Sequence, residues 1–228
     1  MLLEDLERLV AAHRPPLVEL SKDCLDHVSI KDLAKALSTL RSRVPFRLSF
    51  AGTTDLIACA GFGWNDYRRY LSIQIAQAHF LESDVFRLLL GKASPDISNS
   101  DVIRRILDVC ADLGSMQAAI EIHATLESDP AMLAEIVRST PVAIVLDLEN
   151  MRRGRLTLDA VLATVPVERI AYVHHRNLGD AWTEDPLSVD DERRCAERLR
   201  DTAFLWEPKT VHEPSRILGL YREHHSTH

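Results

Sequence analysis

Glycine is scarce in this chain: there are 8 in 228 residues, and none falls in a GxGxxG or GxxxxGK[ST] run. A dinucleotide or nucleoside-triphosphate site built on a glycine-rich phosphate turn therefore has no support. Cysteine is sparser still. Cys24, Cys59, Cys110 and Cys195 are scattered and form no CxxC pair, which fits reduced thiols better than a zinc ribbon or a disulfide scaffold. Basic residues are outnumbered, with 27 Lys and Arg against 34 Asp and Glu and a formal net charge of -7. That balance offers no general attraction to nucleic acid or to an anionic membrane, so neither is expected as a partner. No apolar run reaches the roughly 20 residues of a membrane span. The opening "MLLEDLERLVAAH" is acidic and amphipathic, unlike a signal peptide with its basic start and apolar middle. A soluble, cytoplasmic protein is the expectation.

What the chain does have is 46% hydrophobic residues, enough to bury one sizeable core, and a regular alternation. Leu2, Leu3, Leu6, Leu9 and Val10 recur at helical spacing and predict a helix over 1–13. "PPLVEL" reads as a strand, "SIKDLAKALSTLRSR" as a helix opened by Ser29, and "VPFRLSF" as a strand. "AGTTDLIACAGFG" is either a long loop or holds a further short strand. A helix follows over 64–82, then the strand "DVFRLLLGK" and the helix "SDVIRRILDVCADLG". Strands at 118–123, 142–147, 169–174 and 203–207 then alternate with helices near 129–139, 156–164, 189–201 and 214–224. Such alternation implies βαβ units and a parallel sheet. Seven strands are evident, or eight if "DLIACA" is one. The expected fold is α/β, a (β/α) TIM-type barrel incomplete or modified at its first strand, as a single domain over 1–228. The chain is short of the barrel's usual length of about 250 residues and opens on a helix; a doubly wound sheet ranks second. A missing strand would leave an open edge. It would be covered by "DLIACA", by the N-terminal helix or by a second subunit in a homo-oligomer, and cover from within the chain is expected.

The last four strands share one property: "AAIEIH", "VAIVLDLEN", "RIAYVHHRN" and "AFLWEPK" are apolar runs that end on ionisable residues. Side chains alternate along a strand, so Asp147 shares a face with Val145 and Ala143, His174 with Tyr172 and Ile170, and Glu207 with Leu205 and Ala203. In a parallel barrel all the C-terminal strand ends meet at one mouth, where active sites are built. Glu121, Asp147, His174 and Glu207 would therefore face a common point. Carboxylates crowded in a partly buried mouth repel one another, and a divalent cation removes the conflict. One imidazole with three carboxylates is a hard, oxygen-rich set suited to Mn²⁺ or Mg²⁺, with Co²⁺ or Zn²⁺ also accommodated. His123, two residues beyond Glu121, would face the substrate. Taken singly, each such carboxylate is as readily a helix N-cap or a solvated loop residue; the clustering carries the metal reading.

The order of these strand ends resembles the xylose isomerase-like barrels, a superfamily of sugar-phosphate isomerases and epimerases, ketose 3-epimerases, inosose dehydratases and AP endonucleases. "IEIH" resembles its Glu-x-His strand end and "VLDLEN" its Asp-x-x-His/Asn element, matching Asp147 and Asn150. "VHHRN" resembles its His-x-Lys-Asp element, which identifies His174 rather than His175 as the ligand, and "LWEP" its closing glutamate. "PLVEL" and "VFRLLLG" are similar to the second and fourth strands. There are departures. Arg176 and Asn177 stand where Lys and Asp are common, Asn150 replaces a histidine that contacts substrate in epimerases, and "TEDPLSVDDE" replaces a glycine-rich turn.

The resemblance implies a metal-dependent isomerase or epimerase of a small polyhydroxy carbonyl compound in carbohydrate metabolism. Glu121 and Glu207 would exchange protons as base and acid, with His123 and Asn150 on the substrate. A dehydratase would use the same parts. An AP endonuclease would use more histidine ligands and a basic surface, and a non-catalytic barrel would hold no ion. Four features at the mouth stay open between function and surface. Glu19 is a helix-dipole partner or a site residue. Lys209 and Arg176 are substrate contacts or solvated. "AGFGW" is a lid carrying Phe62 and Trp64 or a packed loop. "MRRGR" is an anion contact or a solvated turn.

Overall fold

The computed structural model describes residues 3–92, 94, 96–123, 129–177, 194–195, 197–199 and 202–208. Its elements in chain order are α1 Leu3–His13, β1 Leu17–Ser21, α2 Ile30–Arg41, β2 Arg47–Asp55, α3 Trp64–Phe80, β3 Val85–Leu89, α4 Asn99–Leu113 and β4 Gln117–Glu121. There follow α5 Pro130–Ser139, β5 Ala143–Asp147, α6 Leu148–Arg153, α7 Leu158–Leu162, β6 Ile170–Asn177 and β7 Ala203–Pro208. Local chemistry marks the helix starts. Asp129 accepts the N–H of Ala131 at 2.9 Å, with Pro130 opening α5, and Ser98 accepts the N–H of Asp101 at 3.2 Å ahead of α4. Gly114, at φ 60°, ends α4.

The seven strands form one sheet in the order β1-β2-β3-β4-β5-β6-β7, and every neighbouring pair is parallel. A parallel sheet whose spatial order follows the chain curls in one direction. Here β7 returns to within 8 Å of β1 without sharing a ladder with it. Among the described residues the result is a TIM-type barrel incomplete by one strand. "DLIACA" does not supply that strand. Asp55 ends β2 and its Oδ1 accepts the N–H groups of Ile57 and Ala58 at 3.1 and 2.8 Å, which turns the chain into a short 3₁₀ segment at Cys59–Gly61. The N-terminal helix packs on α2, burying Leu6 and Val10.

Two apolar layers follow from strand alternation. Outward residues such as Leu48, Phe50, Phe86, Leu88, Ile120, Ile144 and Val173 meet the helices in the main core. Inward residues Leu17, Val85, Ala119, Ala143, Val145 and Tyr172 form a second, small cluster inside the barrel. One expectation fails here. Ile170 does not share the face of Tyr172 and His174, because the register slips between Ile144↔Ile170 and Val145↔Tyr172. The extra residue, Ala171, forms a bulge that leaves Ile170 in the outer core while Tyr172 and His174 turn inward. The helix α6 is also unanticipated, since it begins directly after Asp147. Most of the helix expected near 189–201, and all of that near 214–224, lies outside the described residues.

Gly91 gives a direct test of the turn after β3. Its φ is 87°, and a Cβ placed there would overlap Asp55 Oδ1, the atom that bends the chain after β2. Gly91→Ala is expected to destabilise the protein by about 1–3 kcal/mol, read as a lower urea midpoint with an unchanged slope. An unaltered midpoint would contradict the packing described.

Candidate metal centre

Residues paired across a parallel ladder face the same side. Asp147 pairs with His174, and Glu121 pairs with Val145 of the inner cluster, so all three polar side chains enter the barrel. Each is fully buried, at 0% exposure. One ligand atom from each lies within 4.8 Å of the others. Oxygen donors on opposite sides of an ion such as Mg²⁺ stand about 4 Å apart, so little closure is needed to hold a divalent cation. Neither ring nitrogen of His174 has a hydrogen-bond partner among the described residues, and neither has Asn150 Oδ1. Leaving such buried groups unsatisfied costs roughly 1–3 kcal/mol each, and a coordinated ion would relieve one of the nitrogens. The donor chemistry, the spacing and these orphaned atoms fit a metal.

Asp147 is a helix cap as well. Its Oδ1 accepts the N–H of Asn150 at 2.8 Å, so the same carboxylate opens α6 and belongs to the buried cluster. That capping bond brings Asn150 inward, where its Nδ2 lies 3.4 Å from Glu121 Oε1. Asn150 is therefore a fully buried neighbour of the cluster, placed against Glu121.

Beneath the cluster runs a second polar network. Arg87 of β3 donates through Nε to Glu19 Oε2 at 2.9 Å and pairs through Nη1 with Glu121 Oε2. Glu19 Oε2 also accepts from Ser49 at 3.2 Å and from the Tyr172 hydroxyl, and the hydroxyls of Ser49 and Tyr172 lie 2.8 Å apart. Glu19 Oε1 is 3.2 Å from His174 Nε2, while His174 Nδ1 is 3.6 Å from Glu121 Oε1. Burial works to raise the Glu19 carboxyl, but the charges of His174 and Arg87, the close approach of His174 Nε2 and the bond from Tyr172 outweigh it and hold the group at about 2. Burial and the Glu19 charge push the Tyr172 phenol well above its ordinary value, so it stays a donor.

Glu19 is thus neither a helix-dipole partner nor a solvated residue. Arg87, Ser49 and Tyr172 were not singled out from the sequence, although Arg87 inside the apolar run "VFRLLLG", at an inward position, carried a readable signal. For Glu207 the structure gives the backbone: it pairs with Arg176, two residues beyond Leu205, the ladder partner of His174. His123 is partly buried just past the end of β4 and is not among the clustered ligands. Lys209 lies outside the described residues. In "AGFGW", Trp64 is packed, donating to Asp108 at 2.8 Å with Arg105 over its ring, and Phe62 is exposed. In "MRRGR", Met151 is buried and Arg153 pairs with Glu149.

No family model matches the sequence, and no curated protein matches it. Solved structures do. The chain is similar to the probable 3-DHS dehydratase AsbF of Bacillus anthracis, at TM-score 0.75 and 16% identity over 99% of this chain and 94% of that one. It is similar to endonuclease IV of Thermus thermophilus at TM-score 0.74 and 16% identity, covering 97% and 93%. It is similar to an L-ribulose 3-epimerase at TM-score 0.70 and 15% identity, covering 97% and 80%. The chain has the xylose isomerase-like TIM-barrel fold.

Proposed function

We propose that this protein is a metal-dependent isomerase or epimerase acting on a small sugar, sugar phosphate or polyol ketone. The observation that carries the reading is the buried convergence of Glu121, Asp147 and His174 at the strand ends. These residues, with Glu207 as fourth ligand, would hold one divalent ion, Mn²⁺ or Mg²⁺ by the hardness of the donors, with Co²⁺ or Zn²⁺ as alternatives. When bound, such an ion supplies Lewis acidity toward a carbonyl and its neighbouring hydroxyl.

The chain's own residues then divide the work. Glu121, paired with Arg87, is assigned as the proton acceptor at the carbon beside the carbonyl. Glu207 returns a proton from the other side, completing passage through an enediolate. His123, Arg176 and Lys209 are assigned to substrate hydroxyl or phosphate oxygens, and Asn150 steadies Glu121. Loss of a β-hydroxyl after the first proton transfer would give a dehydratase instead, a reading that the similarity to AsbF keeps in play. Against a DNA-repair role stands the residue at position 150, an asparagine where a further histidine ligand would be needed. The cysteines are free thiols, which supports a reducing compartment such as the cytoplasm. No helix among the described residues is long and apolar enough to cross a membrane.

The test is proton exchange. Protein loaded with Mn²⁺ and incubated in D₂O with a panel of ketoses, their phosphates and polyol ketones should introduce deuterium beside the carbonyl of at least one. Failure across the panel, in protein shown to carry the ion, would remove the isomerase reading.

A further inference from the structure

Resting on the metal reading above, we infer that Glu19 is a positioning residue for the metal ligand His174, fixing which ring nitrogen meets the ion. The two nitrogens face different carboxylates. Nδ1 lies 3.6 Å from Glu121 Oε1, on the side of the clustered ligands, and Nε2 lies 3.2 Å from Glu19 Oε1. A metal-bound histidine characteristically donates its other N–H to a carboxylate or carbonyl, which sets the tautomer and the ring orientation. Glu19 is the carboxylate in that place. Its contact with Nε2 has the distance of a hydrogen bond without the alignment, and a bound ion at Nδ1 would favour the tautomer that donates from Nε2.

Glu19 is itself fixed, as a positioning group must be. Its side chain is 9% exposed. Oε2 is taken by Arg87, Ser49 and Tyr172, which leaves Oε1 turned to His174. The Tyr172 ring, 5.3 Å from the imidazole between centroids, limits its swing from below. Arg87 does the same for Glu121, engaging Oε2 while Oε1 faces His174 and Asn150. The barrel floor therefore sets His174 Nδ1 beside Glu121 Oε1, with Glu19 against the other nitrogen and Arg87 against the other oxygen.

The test uses Zn²⁺- and Co²⁺-loaded full-length protein. In the Zn²⁺ form, ¹⁵N-histidine spectra should show His174 bound through Nδ1 and protonated at Nε2. Glu19→Gln keeps the shape and loses the charge, and should weaken Co²⁺ affinity about 10- to 100-fold and alter the visible Co²⁺ bands. Glu19→Asp should recover part of both. Thermal melting of each metal-free variant separates this effect from lost folding. Binding through Nε2, or a folded Glu19→Gln with parental Co²⁺ affinity and bands, would overturn the inference while leaving the metal site intact. A parent that takes up neither ion would overturn both.

Discussion

Glu207→Gln is expected to keep much of the divalent-ion affinity and to lose about 10²–10⁴-fold in turnover. The amide retains an oxygen that can serve as a ligand, but it neither accepts nor delivers a proton at neutral pH. The ladder sets Glu207 two residues beyond the partner of His174, and it is proposed as the fourth ligand beside Glu121, Asp147 and His174. Calorimetric titration with Mn²⁺ reads the retained affinity, and the rate of net isomerised product reads the lost proton return. Product formation at the parental rate would show that another group carries the proton.

Arg87→Met is expected to destabilise the metal-free protein by roughly 3–5 kcal/mol, the cost of removing one partner from a buried ionic network. The methionine fills much of the volume, so lost packing contributes little. What is lost is the cation between Glu19 and Glu121. The pH dependence gives the sign. In the parent the Glu19 carboxyl is held at about 2, below its unfolded value of 4.5, so its stabilisation is fully present above pH 4.5 and is lost as pH falls toward 2. Without Arg87 that depression shrinks and the folded protein takes up a proton more readily. The deficit of the variant should then be largest near pH 7 and smaller near pH 4, measured as urea midpoints at both. Equal midpoints at pH 7 would mean that Arg87 is not what balances these carboxylates.

The strands and the convergence of Glu121, Asp147 and His174 were legible because both rest on period-two alternation and local apolar runs, which need no tertiary information. The same reasoning put Asp147 and His174 on inward faces. It misplaced Ile170 because a bulge at Ala171 depends on how β6 meets β5, and no residue type in "RIAYVHH" announces it. It missed α6 because "VLDLEN" continues an apolar strand pattern, while the helix is opened by a capping bond from Asn150 to Asp147. The roles of Glu19 and Arg87 were hidden for a different reason. The partners of Glu19 lie 30 to 153 residues away in sequence, so only closure of the barrel reveals that one arginine, one serine and one tyrosine meet the same carboxylate.

The metal itself is the most direct test. Elemental analysis of parent protein purified without chelator, followed by calorimetric titration with Mn²⁺ and Zn²⁺, should find about one divalent ion per chain. Asp147→Ala and His174→Ala should abolish tight binding while circular dichroism shows the α/β fold retained. A parent that contains no divalent ion and takes up neither Mn²⁺ nor Zn²⁺ would contradict the site.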